Sequence, residues 1–520
     1  MRRFVCIHSH FYQPPRENPW TGRVEEEESA RPFHDWNERI ASECYVPNAV
    51  SPLLDERGRI AQLVNNYGWI SFDFGPTLIR WVESHYPELY GSIIDADRSS
   101  LKRFGGHGSA MAQVYNHMIM PLADPKDKRT QVQWGVEDFE RRFGRRPEGM
   151  WLPETAVDLD TLETLAEADI RFTILSPNQA SATRNAGEED WTDVSGGRVD
   201  PRRAYACSLQ SGRTIALFFY DESLSTKIAF GNLLESRDAF PDALLRGFSG
   251  SDSDEPQLVN VASDGETYGH HRKHGNAALS HCLSRIDGSK LASITNYGQF
   301  LSLTPPTHEV RIVERTSWSC PHGVERWRSN CGCGAEIRPG YSQEWRAPLR
   351  SSMDWLRGRL ADIYDREGGK VFIDPRTSAN EFASIADNAA ALRKYILGHS
   401  RPRLSVEKKE KGIRLLRMLE CSALMFASCG WFWEDISRIE SVQVLRYAAR
   451  GMELATELTG VDLEPEFMRM LATASSNEAR FRTGSQVYLA LAKAPKGERV
   501  TVGDRETTVS PETDAREGTV

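Results

Sequence analysis

Over the first 300 residues, short apolar runs alternate with segments of helical period. Runs of strand length lie at 4–10 (FVCIHSH), 69–74 (WISFDF), 112–117 (AQVYNH), 149–153 (GMWLP), 171–176 (RFTILS), 214–220 (TIALFFY) and 258–263 (LVNVAS). Between several of them apolar residues recur every three or four positions, on 77–85, 128–143 and 159–168. Gly144 follows the second of these, where a glycine ends a helix. Such alternation predicts a parallel sheet covered by helices. Seven strands fit either a barrel or a doubly wound sheet. The polar positions choose between them. His8 and His10, Asp73, His117, Glu154, Asp221, and Asp264 with Glu266 stand at the downstream ends of six of the seven runs. In a parallel barrel those ends meet at one face, whereas an open sheet spreads them along a line. The pattern therefore predicts an α/β fold of the (β/α)7 barrel type.

After residue 300 the period changes. Residues 303–345 are rich in Pro, Gly, Cys and Trp and read as irregular. From 345 to 491 the pattern is mostly helical, as in EFASIADNAAALRKYIL (381–397) and RLLRMLECSALMF (414–426). The expected organisation is a catalytic barrel over 1–300, a Cys/Trp-rich connector over 301–345 and an all-α domain over 346–495. Residues 496–520 carry few large apolar side chains and read as a flexible tail.

Composition narrows the class. A net charge of −9 over 520 residues argues against a nucleic-acid partner. No apolar run approaches the ~20 residues of a membrane span. The opening MRRFVCIHSH has only four apolar residues before His8, short of the roughly 7–15 of a secretory signal, and reads as a first strand. Nine cysteines in a long chain without an export signal point to a reducing cytoplasm. The sequence does not set the oligomeric state.

The densest chemistry is VNVASDGETYGHH (259–271), where a strand ends in two acids followed by two histidines. A helix start capped by Asp264 or Glu266 would look the same. Glu154, at the end of GMWLPE, supplies a second strand-end carboxylate. Two carboxyl groups flanking one bond are what glycosidic cleavage requires. Their environments set the roles apart, since burial raises a carboxyl pKa and donors or cations lower it.

Four stretches taken together resemble glycoside hydrolase family 57, the α-glucan-active amylase and transferase group. HSHFYQPP (8–15) looks like its first motif, YNHMIMPL (115–122) its second, GMWLPE (149–154) its third and SDGETYGHH (263–271) its fourth. The resemblance implies an incomplete seven-stranded barrel, Glu154 as nucleophile, Asp264 as acid/base, an α-glucan or malto-oligosaccharide substrate, and no cofactor for catalysis. TSWSCPHGVERW (316–327) and CGWFWEDIS (429–437) resemble an uncharacterised C-terminal extension found on a subset of the family.

The accessory candidates follow. His8 and His10 share a strand face and are expected to hydrogen-bond sugar hydroxyls from the pocket floor, together with Gln13 and His117. The rival is a zinc hydrolase using His8, His10 and His117, which leaves Glu154 without a purpose. A glucan-binding protein on a degenerate barrel is the non-enzymatic alternative, and the presence of both carboxylates argues against it. Asp221, Glu266 and His270 are substrate-contact candidates, with capping or surface roles as the simpler readings. Trp151, Trp431 and Trp433 offer aromatic faces on which a sugar ring can stack, or else pack in cores. Cys320, His322, Cys331 and Cys333 form C-x-H-x8-C-x-C, a set suited to structural zinc or else reduced cysteines of a cytoplasmic protein.

Overall fold

The computed structural model describes residues 2–250, 255–335, 338–386 and 388–493. The expected tail at 496–520 lies outside the described residues. The chain forms two compact units. One takes residues from 1–14, 27–326 and 376–395, and the other from 15–26, 327–375 and 396 onward.

The seven expected strands are all present in the first unit. They are β1 (Arg3–Phe11), β2 (Ser71–Phe74), β3 (Ala110–Gln113), β4 (Met150–Trp151), β5 (Phe172–Leu175), β6 (Thr214–Phe219) and β7 (Gln257–Asp264). The neighbours run parallel in the order β7-β1-β2-β3-β4. A parallel bridge from Gly149 to Phe172 carries the wall on to β5, which pairs with β6 in parallel. Between β6 and β7 no ladder forms among the described residues. Asp221 N–H to the Asn260 carbonyl (2.8 Å) and the Asn260 amide to the Phe219 carbonyl (3.1 Å) bridge the gap. The barrel is thus incomplete, with seven strands.

Strand alternation explains how the interior is filled. Phe4 and Cys6 on β1, Leu258 and Ala262 on β7, Phe172 and Ile174 on β5, and Ala216 and Phe218 on β6 belong to one core cluster. Each pair is spaced by two or four, so each strand points one face inward. Continuing β1 by the same period brings His8 and His10 onto that inner face above Phe4 and Cys6. Continuing β7 brings Asp264 above Ala262. The apolar floor therefore lies at the N-terminal end and the ionisable groups at the C-terminal end.

Helices cover the outside. Pro76–His85 (α1), Pro125–Phe143 (α2) and Leu159–Glu167 (α3) follow the expected segments. Gly144 ends α2 at φ 67, a left-handed conformation that glycine adopts without strain. A Cβ on Gly135 would lie 2.3 Å from the Gln113 carbonyl oxygen, so the glycine lets α2 rest directly on β3. Asp158 caps α3 by accepting from Thr161 N–H (2.8 Å).

Two expectations need correction. The stretch 303–345 contains a strand, His308–Ile312, antiparallel to Ala180–Asn185, in a sheet that extends β6 through Ala204–Ser208. The helical reading of 381–397 holds only in its second half. The helix runs Ala389–His399, after a single turn at Phe382–Ser384. The Asn388 side chain accepts from Ala391 N–H (2.9 Å) and starts a new helix there.

The second unit is built on Arg346–Val371 (α4), Val406–Leu424 (α5) and Ile439–Thr459 (α6). Leu349, Met353, Leu356 and Leu360 of α4, Leu415 and Leu416 of α5, and Leu445, Ala448, Met452 and Ala455 of α6 are buried. Their three- and four-residue spacing is the stripe that made this region legible as helical. No helix among the described residues is long and apolar enough to cross a membrane.

Candidate active site

Register brings three ionisable groups side by side. His10 pairs with Asp264 across β1 and β7, and with Asp73 across β1 and β2. Asp73 is fully buried and serves as the hub. It accepts from His8 Nε2 on Oδ1 (3.1 Å) and from His10 Nδ1 on Oδ2 (2.8 Å). His10 Nε2 lies 3.2 Å from His117 Nε2.

The proton positions follow from the charges. Burial works to raise the Asp73 carboxyl, but His10 and His8 outweigh it and hold the group below its usual range. Burial works to lower His10, but Asp73, Asp264 and Glu266 together raise it. Burial lowers His8, which Asp73 only partly offsets. Burial and the neighbouring His10 charge push His117 well below the usual histidine range. A charged His10 donates from both nitrogens, to Asp73 and to a neutral His117. His8 Nδ1 faces Ser71 Oγ at 3.1 Å. Every ring nitrogen of His8 and His10 is thus engaged by a protein group, which removes the expected support for a zinc hydrolase built on them.

Trp151 backs these rings. It is fully buried, with His8 and His10 both stacked on it at 4.9 Å and Trp318 edge-on at 5.1 Å. Its faces are occupied, so it supports the histidines rather than presenting a surface to a sugar. Tyr12, absent from the sequence candidates, stacks on His117 at 3.6 Å.

Glu154 sits just past β4 at φ 58, ψ 21, and the following Thr155 is also left-handed at φ 50. Neither residue is glycine, and Thr155 is β-branched. Such conformations cost about 1–3 kcal/mol each and persist only where the surroundings enforce them. The surroundings here are a strap from residues 313–319. Val157 N–H donates to the Thr316 carbonyl (3.0 Å) and Trp318 N–H to the Glu154 carbonyl (3.0 Å). The Gln179 amide donates to the carbonyls of Thr155 (2.8 Å) and Thr316 (3.1 Å). On the side chain, Glu154 Oε2 accepts from Trp318 Nε1 (3.0 Å) and Ser319 Oγ (2.6 Å). His117 is a third left-handed residue at the site, at φ 54.

Asp264 is the exposed last residue of a strand that is otherwise buried. Solvent reaches its surface, yet it stands in a crowd of protein atoms at the barrel end. That crowding, partly offset by His10 and reinforced by Glu154 and Asp73, pushes its carboxyl up to about 6. Glu266 is buried; it accepts from Tyr45 O–H (2.5 Å) and Tyr12 N–H (3.3 Å). Burial pushes it up to about 7. Between them, a Cβ on Gly265 would lie 2.2 Å from the Phe11 ring, so only glycine fits.

The remaining candidates fall elsewhere. Asp221 is a cap: its Oδ1 accepts from Leu224 N–H (2.9 Å) at the start of Glu222–Ala229. His270 Nδ1 makes a short contact with Glu43 Oε2 and its ring meets Trp36 edge-on. The Gln13 amide donates to the Tyr12 carbonyl (3.0 Å). In the helical unit, Trp431 is buried against Phe426 (6.2 Å, 7°), which makes it core. Trp433 is half-buried with Phe432 at its edge and the Arg438 guanidinium over its ring. Cys320 and His322 fall in the first unit, and Cys331 and Cys333 in the second.

Comparisons with known proteins identify the family. Residues 39–312 match glycosyl hydrolase family 57, and residues 341–506 match a domain of unknown function, DUF3536. An alpha-amylase of Pyrococcus horikoshii is 24% identical over 255 residues, 47% of this chain and 36% of that protein. A 4-alpha-glucanotransferase of Thermococcus litoralis is 21% identical over 48% of this chain and 36% of its own. The chain spans about a third of the length of these curated relatives. Among solved structures, an exo-type maltose-forming amylase of Pyrococcus sp. ST04 aligns with TM-score 0.64 at 17% identity, covering 94% of this chain and 82% of that one. A branching enzyme of Thermococcus kodakaraensis aligns with TM-score 0.54 at 14% identity, covering 96% and 98%. These structural likenesses concern the fold. The family match spans more than half of the residues, and the chain belongs to glycosyl hydrolase family 57.

Proposed function

We propose that the chain is a retaining enzyme acting on α-glucans, with Glu154 as nucleophile and Asp264 as acid/base. The observation that carries this reading is the pairing of two carboxyl groups with unlike surroundings at one barrel end. Glu154 is tied at Oε2 by two donors. Asp264 is pushed up to about 6 with Glu154 among the causes, so about a tenth of it still carries a proton at pH 7, far more than an ordinary carboxyl would.

In the first step Glu154 attacks the anomeric carbon as the glycosidic bond breaks, and the Asp264 proton goes to the leaving oxygen. In the second, Asp264 takes a proton from the acceptor, which attacks the anomeric carbon and releases Glu154. Water as acceptor gives hydrolysis; a glucan hydroxyl gives transfer or branching. His8 and His10, locked by Ser71, Asp73 and His117, form a rigid floor beneath the sugar. The amylase, glucanotransferase and branching activities named for the relatives support the substrate class. Neither step calls for a metal. The Cys320, His322, Cys331 and Cys333 group is assigned a structural zinc, on its C-x-H-x8-C-x-C spacing.

Incubation with maltoheptaose followed by chromatography tests the function. Glucose and short oligomers indicate hydrolysis, and a ladder of longer chains indicates transfer. An unchanged substrate refutes the reading. Elemental analysis of the purified chain tests the zinc: about one equivalent supports it, and none refutes it.

A further inference from the structure

We propose that Trp318 and Ser319 are positioning residues for the nucleophile, tying Glu154 Oε2 so that Oε1 is the atom that attacks. The inference rests on Glu154 being the nucleophile. Trp318 and Ser319 stand more than 160 positions downstream of Glu154, in the stretch TSWSC whose chemistry the two-carboxylate reading leaves unused.

The geometry is specific to one oxygen. Oε2 accepts from both Trp318 Nε1 and Ser319 Oγ, whereas Oε1 accepts from no group among the described residues. A carboxylate with one oxygen doubly bound cannot rotate without losing both bonds, so the other is presented in a fixed direction. The two donors are themselves held. Trp318 is anchored by its backbone bond to Glu154 and by its ring against Trp151. Ser319 is anchored by Arg326 Nη2 donating to its carbonyl (3.1 Å), and Ser317 Oγ donates to the Gly323 carbonyl (2.6 Å).

The bonds also bear unequally on the two steps. When Oε1 forms the C1–O bond, the negative charge leaves the carboxylate and Oε2 becomes an ester carbonyl, a weaker acceptor. When the ester C1–Oε1 bond breaks, the charge returns and both donors regain strength. Losing one donor should therefore slow breakdown of the glycosyl-enzyme, while the other still aims Oε1 for its formation. Losing both should slow formation as well.

The test uses the full chain with an aryl α-maltoside whose leaving group needs no proton, so that breakdown limits turnover. Ser319→Ala should lower kcat roughly 10-fold with KM falling in step, leaving kcat/KM within about threefold, the loss of one charge-assisted bond. Ser319→Thr should restore kcat, since it returns the hydroxyl. The double variant Trp318→Phe and Ser319→Ala should lower kcat/KM by roughly 10-fold or more. A merely structural role would depress kcat/KM and thermal stability together in Ser319→Ala, without rescue by threonine. That result, or full turnover in every variant, overturns the inference. If Glu154→Gln itself turns over like the wild-type chain, the nucleophile assignment falls and the clamp falls with it.

Discussion

The acid/base assignment makes a quantitative claim about pH. Asp264 must carry a proton to cleave an unactivated glucan, and its carboxyl is pushed up to about 6. Below that value the group is protonated; above it the competent fraction falls tenfold per unit. The kcat/KM for maltoheptaose should therefore drop to about a tenth at pH 7 and about a hundredth at pH 8, relative to its plateau near pH 5. Two perturbations probe the origin of the limb. Asp264→Asn, measured on an activated aryl maltoside, should abolish it, because no proton is then needed in the first step. His10→Gln should move it to higher pH, because the positive charge on His10 works to lower Asp264 from the adjacent strand position. Initial rates over pH 4–9 at constant ionic strength suffice. A limb that keeps its midpoint in Asp264→Asn, or shifts downward in His10→Gln, would refute the reasoning.

Three further expectations follow from the same site. Azide should restore turnover of an activated substrate to Asp264→Asn, by attacking the accumulated intermediate without a base, and should not do so for Glu154→Gln with retained configuration; the converse result would exchange the two roles. Glu266 is raised from 4.5 to about 7 by burial, so its protonated form is favoured in the fold, and its contribution is fully present below pH 4.5 and lost as pH rises through 7. Denaturant titrations of wild type and Glu266→Gln at pH 4.5 and 8 should diverge by about 3 kcal/mol, and equal pH dependence in the two would contradict the assignment. Gly265→Ala forces a Cβ into the Phe11 ring and should cost about 1–3 kcal/mol in stability with a loss of activity, read by calorimetry and turnover; a silent substitution would mean that the ring can move aside.

Much of this architecture is visible in one-dimensional pattern. The seven strands could be read because parallel barrel strands are buried on both faces and so appear as unbroken apolar runs, as in FVCI and LFF. The polar residues that end six of the seven runs mark the C-terminal end of the barrel. Periodicity does not say which of those residues touch. Asp73 is one of six such positions by sequence, and only the register of β1 with β2 makes it the hub between two histidines. Asp221 looks the same as Asp264 on paper, but it opens a helix and its Oδ1 caps Leu224 N–H. Trp151 and Trp431 illustrate another limit: an aromatic beside a carboxylate or in an aromatic cluster reads as a sugar platform, while packing decides which faces remain open. Ser319 and Trp318 could not be placed at all, since contact across such a separation depends on the path of the strap.

The place of β1 in the sheet has a consequence for how the chain is made. β1 lies between β2 and β7, and its register pairs Arg3 with Gln257 and His10 with Asp264. Some 250 residues must leave the ribosome before the first strand acquires its second neighbour. Until then one full edge of β1, eight paired positions long in the finished fold, stands open beside its histidines. Nascent chains that stall before residue 257 should accordingly be the ones that bind chaperones or aggregate, because this eight-position pairing closes a loop of some 250 residues. Asp264, the proposed acid/base residue, is the final position of that pairing. Pairing of the first strand with its late neighbour and arrival of the proposed proton donor are one event in the life of the polypeptide, and a chain that has not finished folding carries Glu154 without the carboxyl proposed as its partner.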